Sequence, residues 1–368
     1  MDYNLAFLCG ARDFHAMDWY RNAKILYPDK NISIVTDLIS SEGFNSLLNQ
    51  TDTVYKLLIL DPFLFKKQSK KANIWRNFLK LLFFPVQVML LKKYNKTNPT
   101  TIFHAHSMYY LFLSWASGVT YVGTAQGSDI LIRPFKSSLY KYFTIKSLKR
   151  ALAVTVDSLK MKEVIYDMSG VISHVVQDGI DIDSINKFFK GNKDKYQREN
   201  ILSIRGLAPI YRIGELIEAR NHSKKNSNIP IILIYPFIES QYEMKINSSF
   251  KSIDVKHGRL KRFKMYELLA QTKLVISIPE SDSSPRSVYE SIFCGCAVAI
   301  TYQPYYDVLP IDMKSRIVLI DLQDETWFDK AIEFANKIIT IPYYPSKEAL
   351  DNFDQKKSFN KILNLINE

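Results

Sequence analysis

PESDSSPRSVYESIFCGCAVAIT, residues 279–301, sets the fold. Just ahead of it, residues 274–278 (LVISI) are almost continuously apolar, the pattern of a strand covered on both faces. The quoted stretch then gives a polar loop, a helix, a glycine turn and a second apolar strand, which is one β–α–β unit of a parallel sheet. Ser284 suits a helix N-cap and Pro285 the first helical position, where a missing N–H costs nothing. A helix starting there aims its free N–H groups and positive dipole end at the loop, a site suited to a diphosphate. Asp282 and Glu290 bracket that start with seven residues between them. Carboxylates accept hydrogen bonds from hydroxyls, so the two suit a sugar and a ribose. Each also has a plainer role: Asp282 as a loop or cap residue, Glu290 as an i,i+4 ion partner of Arg286.

Outward from this unit the same alternation covers the chain. Strand-like runs fall at 4–9, 32–36, 54–60, 101–104, 121–125 and 153–156, and a second set at 201–204, 230–235, 253–256, 274–278, 297–301 and 317–320. Helix-length segments lie between them, among them 107–117, 158–167, 214–221, 265–271 and 286–293. The series runs twice, separated by the charged stretch KFFKGNKDKYQRE at 187–199. The expected fold is α/β: two Rossmann-like, doubly wound parallel-sheet domains facing a cleft, with ligands at the carboxyl ends of the strands. The domains are expected at 1–190 and 200–345. Residues 346–368 are expected to form an amphipathic helix that packs back on the first domain.

With 368 residues, 47% hydrophobic and 23% charged, the chain is long and apolar enough for two cored domains. Its net charge of +12 favours polyanionic partners. No zinc finger, basic zipper or ribonucleoprotein pattern is present, so an anionic membrane face or a phosphate-bearing substrate is the better reading than nucleic acid. Cys9, Cys294 and Cys296 form neither a zinc pattern nor a disulfide framework, which fits a reducing, cytoplasmic setting. The opening MDYNLAFLCGARD has no signal-peptide pattern, and the apolar stretch 78–91, interrupted by Lys80 and Pro85, is too short to span a bilayer.

The string from Asp282 through Glu290 to Cys294-Gly295-Cys296 resembles the donor loop and helix of the family 4 glycosyltransferases, which have the GT-B fold. The family mark is Glu, seven residues, then Glu; the closest subgroup has a Ser-Asp-Gly-Thr-Pro loop. The resemblance implies that Asp282 faces the donor sugar, that Ser283 and Ser284, followed by Pro285 in the donor-binding loop, present amides to the phosphates, and that Glu290 holds the ribose. Asp282 stands where the family has Glu, and Ser283 where the loop has Gly. A second match is ILSIRGLAPIYRIGELIEA, residues 201–219, which implies that Arg205 and Arg212 bind the donor diphosphate. The planar fork of arginine suits phosphate oxygens. A third is HAHSMYYLFLSWASGVTYVGTAQGSDIL, residues 104–131. It implies that Gln126, Gly127, Ser128 and Asp129 line the acceptor side and that His106, at a strand end near His104, is a candidate catalytic group. Many relatives have His or Trp where this chain has Gln126. In CGARDFHAMDW, residues 9–19, Gly10 and His15 match acceptor-side positions, with Trp19 spaced as in the subgroup. VVQDGIDIDSI, residues 175–185, matches a structural turn near the end of the first domain.

The resemblance implies a retaining transfer. A nucleoside diphosphate departs, stabilised by Arg205, Arg212 and the helix start, and an acceptor hydroxyl attacks on the same face. No metal or cofactor is expected; Asp181-Ile182-Asp183 has metal-loop spacing but falls at the domain boundary. The expected partners are a nucleotide-sugar donor, a glycan or polyprenyl-linked acceptor and an anionic membrane surface, in the synthesis of a bacterial capsule or O-antigen. Residues 63–96, basic at both ends with Phe, Leu and Trp between, suit the headgroup region, and Tyr140, Lys141 and Tyr142 near 146–150 add a second patch. That places the protein at the inner face of the cytoplasmic membrane. The alternatives are a nucleotide-sugar epimerase of the same fold and a catalytically silent nucleotide- or glycan-binding scaffold.

Overall fold

The structure is a computed structural model that describes residues 3–10, 13–36, 48, 51–57, 70–190 and 196–367. Two sheets are present, and every strand pairing in both is parallel. The first contains β1 (Asn4–Cys9), β2 (Ile32–Thr36), β3 (Thr53–Lys56), β4 (Thr101–His106), β5 (Tyr121–Thr124), β6 (Val154–Val156) and β7 (His174–Val175). The second contains β8 (Asn200–Ile204), β9 (Ile231–Ile234), β10 (Val255–His257), β11 (Thr272–Ser277), β12 (Ala297–Ile300) and β13 (Ile317–Leu319). The strand orders are β3-β2-β1-β4-β5-β6-β7 and β10-β9-β8-β11-β12-β13. These two all-parallel α/β domains are the expected fold class. All twelve expected strands form; the short β7 is an addition.

Burial on both faces explains the apolar runs. In β1, Leu5, Phe7 and Cys9 point into one core and Ala6 and Leu8 into the other. In the second domain, Leu202, Val275 and Val298 face one core, while Ile201, Leu274, Ile276 and Ala297 face another closed by Trp327 and Phe328. Both sheets reverse their winding direction at one point, between β1 and β4 and between β8 and β11. Ligands of such sheets bind outside the carboxyl ends of the strands at that reversal.

The chain divides into Met1–Asp178 with Gln355–Glu368, and Gly179–Asp354. The division therefore falls ahead of the expected 190–200 boundary. The reason is the helix Ile182–Lys190: its Ile182, Ile185 and Phe188 enter the second domain's core beside Tyr266. An apolar stripe at helical spacing runs into the charged stretch that suggested a linker; of that stretch, residues 191–195 lie outside the described residues. Ile180 N–H donates to the Phe353 carbonyl at 2.8 Å, tying together the two ends of the second domain. Phe353 itself belongs to that domain's core. Only the last helix, Gln355–Asn367, packs in the first domain, where Phe359, Ile362 and Leu363 lie against the helix Phe14–Leu26.

Candidate functional site

In the second domain Arg205 directly follows β8, and Asp282 lies in the loop after β11, so the two flank the winding reversal. The structure brings them into contact: Arg205 Nη2 stands 2.7 Å from Asp282 Oδ2. Their side chains are 12% and 18% exposed. Neither of these two atoms makes an aligned hydrogen bond, so this is an ion contact of poor angle. Arg205 is also anchored elsewhere. Its Nε donates to Ser277 Oγ at 2.8 Å, and its guanidinium lies 5.9 Å from the centre of the Tyr211 ring. Both charges act on the buried Tyr305 hydroxyl, which has no hydrogen-bond partner. Burial pushes that phenol up, with Arg205 pulling it down and Asp282 raising it.

Main-chain bonds hold the surrounding loops in register. Glu280 N–H donates to the Ile210 carbonyl at 2.8 Å, joining the loop after β11 to the loop after β8. Gln303, just beyond β12, donates to the Pro279 carbonyl at 3.0 Å and accepts from Asp282 N–H at 3.2 Å. Ser283 N–H donates to Asp282 Oδ1 at 2.9 Å. On the other side, Leu207 N–H bonds the Phe237 carbonyl, and Glu239 N–H bonds the Leu207 carbonyl. Gly206 is fixed by this approach, because a Cβ there would stand 2.5 Å from the Phe237 ring.

The helix after this loop is Arg286–Phe293. Pro285 is its N-cap, so the helix begins one residue later than expected, and Ser284 is not the cap. A proline whose ψ of 89° is extended cannot serve as the first helical residue. Ser283 and Ser284 are half-buried in the preceding loop and Pro285 is buried. Glu290 lies in the second turn, half-buried, and acts on Tyr266 and Cys294. Burial first, then the Glu290 charge, pushes the Tyr266 phenol up. For Cys294 burial also leads, followed by Cys296 and Glu290. Asp282 and Glu290 thus act on different neighbours.

Gly295, at φ 82°, ends that helix. Two arginines clamp the turn: Arg198 donates to the Cys294 carbonyl at 2.6 Å, and Arg316 donates to the Gly295 carbonyl. Arg212 takes the left-handed conformation (φ 52°, ψ 35°), caps the helix Ile213–His222 and stands 3.6 Å from Glu215. Asp181, in the expected boundary motif, is committed to Ser184 and to Arg262 at 3.3 Å.

The reversal point of the first domain is built differently. His104 and His106 are buried, their ring centres 4.3 Å apart, with Phe7 and Trp19 packed against both. His104 shares a 2.8 Å hydrogen bond with Thr124. Burial, then His106, drives its pKa well below the imidazole range. Ser107 follows at φ 70° and ψ 156°, a region that essentially only glycine enters freely. Asp129 holds this turn: it is buried, accepts Met108 N–H at 2.9 Å and pairs with Arg133 at 2.8 Å. Of the acceptor-side candidates, Gln126 and Ser128 are exposed, Gly127 is half-buried and Asp129 is turned inward. Gly10 follows β1, with the Tyr110 hydroxyl 3.0 Å from where a Cβ would lie. That hydroxyl accepts from Lys80 Nζ at 3.0 Å, and Lys80 lies 3.9 Å over the Tyr109 ring. The His15 side chain lies outside the described residues.

Sequence reasoning did not find Ser277, Gln303, Tyr211 or Tyr305. Gln303 and Tyr305 follow β12, the kind of strand end where a site in such a sheet is expected.

Helix Lys70–Leu82 exposes Ile74, Trp75, Phe78, Leu81 and Leu82, and Phe84–Thr97 exposes Val86 and Met89. Phe135, Leu139 and Tyr142 are exposed in the second basic region. Residues 63–69 lie outside the described residues. Among the described residues, no single helix is long and apolar enough to cross a membrane; the pair Ile74–Leu82 and Phe84–Thr97, bent by 61°, passes by length and composition.

No family model and no curated protein sequence matches the chain. Solved structures share the fold. HepE of Anabaena, in complex with UDP and glucose, is 15% identical with a TM-score of 0.71, over 99% of each chain. Sucrose-phosphate synthase of Thermosynechococcus elongatus is 10% identical with a TM-score of 0.74, over 99% of this chain and 98% of its own. A TarM mutant of S. aureus, in complex with fondaparinux, alpha-GlcNAc-glycerol and UDP, is 11% identical with a TM-score of 0.68, over the whole of both chains.

Proposed function

We propose that this chain is a retaining glycosyltransferase, similar to family 4, that moves a sugar from a nucleoside-diphosphate sugar to a glycan or polyprenyl-linked acceptor. The observation that carries the reading is the contact of Arg205 with Asp282 across the winding reversal between β8 and β11. It supplies a half-buried cation for a diphosphate and a carboxylate for a sugar hydroxyl. The start of helix Arg286–Phe293 follows four residues after Asp282 and adds N–H groups and a favourable dipole. Likeness in fold to proteins solved with UDP supports a uridine donor.

In this mechanism Arg205, with Arg212 at the loop mouth, neutralises the departing diphosphate. The Ser284 amide bonds its oxygens, the Ser283 amide holds Asp282 Oδ1 in place, Asp282 orients the sugar and Glu290 accepts from ribose hydroxyls. Catalysis is positioning and charge stabilisation, with fixed cations taking the role a metal would otherwise fill. Gly10, Gln126, Gly127 and Ser128 serve the acceptor side, while Asp129 and His106 shape that region through packing. The exposed Trp75, Phe78, Leu81 and Leu82 beside basic residues suit an anionic membrane at the inner face of the cytoplasmic membrane, where lipid-linked precursors of capsule or O-antigen reside.

The test is a thermal-shift panel with uridine, guanosine, adenosine and cytidine diphosphates, bare and sugar-linked. A rise confined to one base supports the reading and names the donor, since a ligand of the folded state raises its melting point. No rise for any of them favours a silent scaffold. Transfer is expected to persist in excess chelator; loss restored by magnesium would defeat the metal-free mechanism. Sedimentation with vesicles containing phosphatidylglycerol should carry the protein down, and Trp75→Ser with Phe78→Ser should release it.

A further inference from the structure

The roles given to Arg205 and Asp282 require both groups to be available, yet each holds the other. We infer that Asp282 is the stand-in counter-ion of Arg205 in the donor-free protein, and that a nucleoside diphosphate takes its place on the guanidinium. This rests on the diphosphate reading of the site.

The contact is built to be exchanged. Arg205 is fixed through a different nitrogen, Nε to Ser277 Oγ at 2.8 Å, and by the Tyr211 ring. Its fork therefore stays in place when the partner at Nη2 changes. Asp282 is also held without that contact. Gln303 accepts from its N–H, and its Oδ1 accepts from Ser283 N–H. Only Oδ2 has to let go. The Oδ2–Nη2 contact is close but poorly angled, so a phosphate oxygen with better geometry gives up no aligned hydrogen bond by replacing it. The Tyr305 hydroxyl, buried beside the pair and without a partner, is a neutral donor for the group that arrives.

The exchange couples the two ends of the donor. Asp282 Oδ2 becomes the stronger acceptor for a sugar hydroxyl once the diphosphate has taken over the Arg205 guanidinium. The grip on the sugar thus tightens as the leaving group is engaged. A nucleoside diphosphate without a sugar competes with the carboxylate and gains nothing from it.

Removal of the carboxylate charge is therefore expected to tighten diphosphate binding. Calorimetric titration of the full chain with each of the four nucleoside diphosphates, and with the matching nucleosides, compares wild type, Asp282→Asn, Arg205→Gln and the double variant. If the pair is closed in about nine of ten molecules, Asp282→Asn binds the diphosphate about tenfold tighter. The nucleoside alone shows no gain, which separates charge competition from a general change in the fold. Arg205→Gln binds the diphosphate more weakly, and adding Asp282→Asn to it restores nothing, because the two act through one contact. Should Asp282→Asn fail to melt cooperatively, Asp282→Ser replaces it. Diphosphate binding equal to or weaker than wild type in the folded variant overturns the inference and leaves the site reading standing. Absence of diphosphate binding in wild type and variant alike overturns both.

Discussion

Between β1 and β4 the first domain fills its winding reversal with rings: Phe7, Trp19, His104 and His106 pack on one another. Between β8 and β11 the second domain places charges instead, Arg205 against Asp282, with the Tyr305 hydroxyl beside them. The scaffold is the same in both. The first domain binds Asp129 to Met108 and Arg133 and one nitrogen of His104 to Thr124, and the polar atoms it leaves without a partner there, Trp19 Nε1 and His104 Nδ1, belong to neutral rings. The second holds a half-buried charged pair, Arg205 and Asp282, whose contact is poorly aligned. A buried charge without a good partner costs a fold more than a neutral polar group does, so at the charged end a ligand is the natural complement. Position at a strand end narrows the search, and under-matched charge decides between the two ends.

The sharpest way to break this contrast is by kinetics. Arg205→Ala should lower kcat/KM by about two to three orders of magnitude, the usual effect of removing one stabilising donor at a developing charge. Asp282→Asn should also lose transfer despite its tighter diphosphate binding. His106→Gln should act mainly on the melting temperature. An equal loss of kcat/KM in His106→Gln at unchanged melting would make the first domain's reversal a site of chemistry and erase the contrast.

Next in size is the second domain's fully buried ion pair. Arg220 makes a bidentate contact with Asp254 at 2.8 and 2.6 Å, with both side chains at 0% exposure. Arg220→Met leaves that carboxylate unpaired and should cost about 3–5 kcal/mol in a urea unfolding series. Asp129→Ala in the first domain exposes a neutral N–H and an arginine already near water, and should cost about 1–3 kcal/mol.

Acid should separate the domains further. His104 is held neutral in the fold, first by burial and then by His106, against an ordinary value of 6.5. The unfolded chain binds a proton that the folded one refuses. Stability should then fall by up to about 1.4 kcal/mol per pH unit below 6.5, and His104→Gln should flatten that slope. Asp254 acts in a lower window. Burial would raise its carboxyl, but Arg220 and the Ile231 and Lys251 amides outweigh it and hold it below 3.8. Its contribution is present above that value and is lost only as pH drops under it. Melting followed by a probe in each domain should show the first domain weakening at the milder acidity. The smallest effect expected is a gain: Ser107→Gly relieves the left-handed strain at φ 70° and should stabilise by about 1 kcal/mol.

Much of this architecture is legible in the chain. Runs such as Leu5–Cys9 and 274–278 lie between two cores, so burial on both faces writes itself into the composition. The two loops of the second-domain site were also legible, because Arg205 and Asp282 each follow an apolar strand. Their contact was not, since it joins residues in separate β–α units. The same holds for Gly206 against Phe237 and for Tyr305 beside the pair. Ser107 carries no sign of its backbone conformation, which is imposed by Asp129 reaching Met108 N–H. The domain boundary was masked by lysines that cover the outer face of a helix whose inner face, Ile182, Ile185 and Phe188, is apolar.

The last helix, Gln355–Asn367, supplies Phe359, Ile362 and Leu363 to the first domain's core. During synthesis those side chains leave the ribosome only after all of Gly179–Asp354 has been made. At typical translation speeds the first domain waits on the order of ten seconds with that face of its core uncovered. The second domain, whose two ends meet at Ile180 and Phe353, can close first. Vectorial synthesis is therefore expected to complete this molecule in reverse order, and a chaperone's interval of greatest demand lies between those two events.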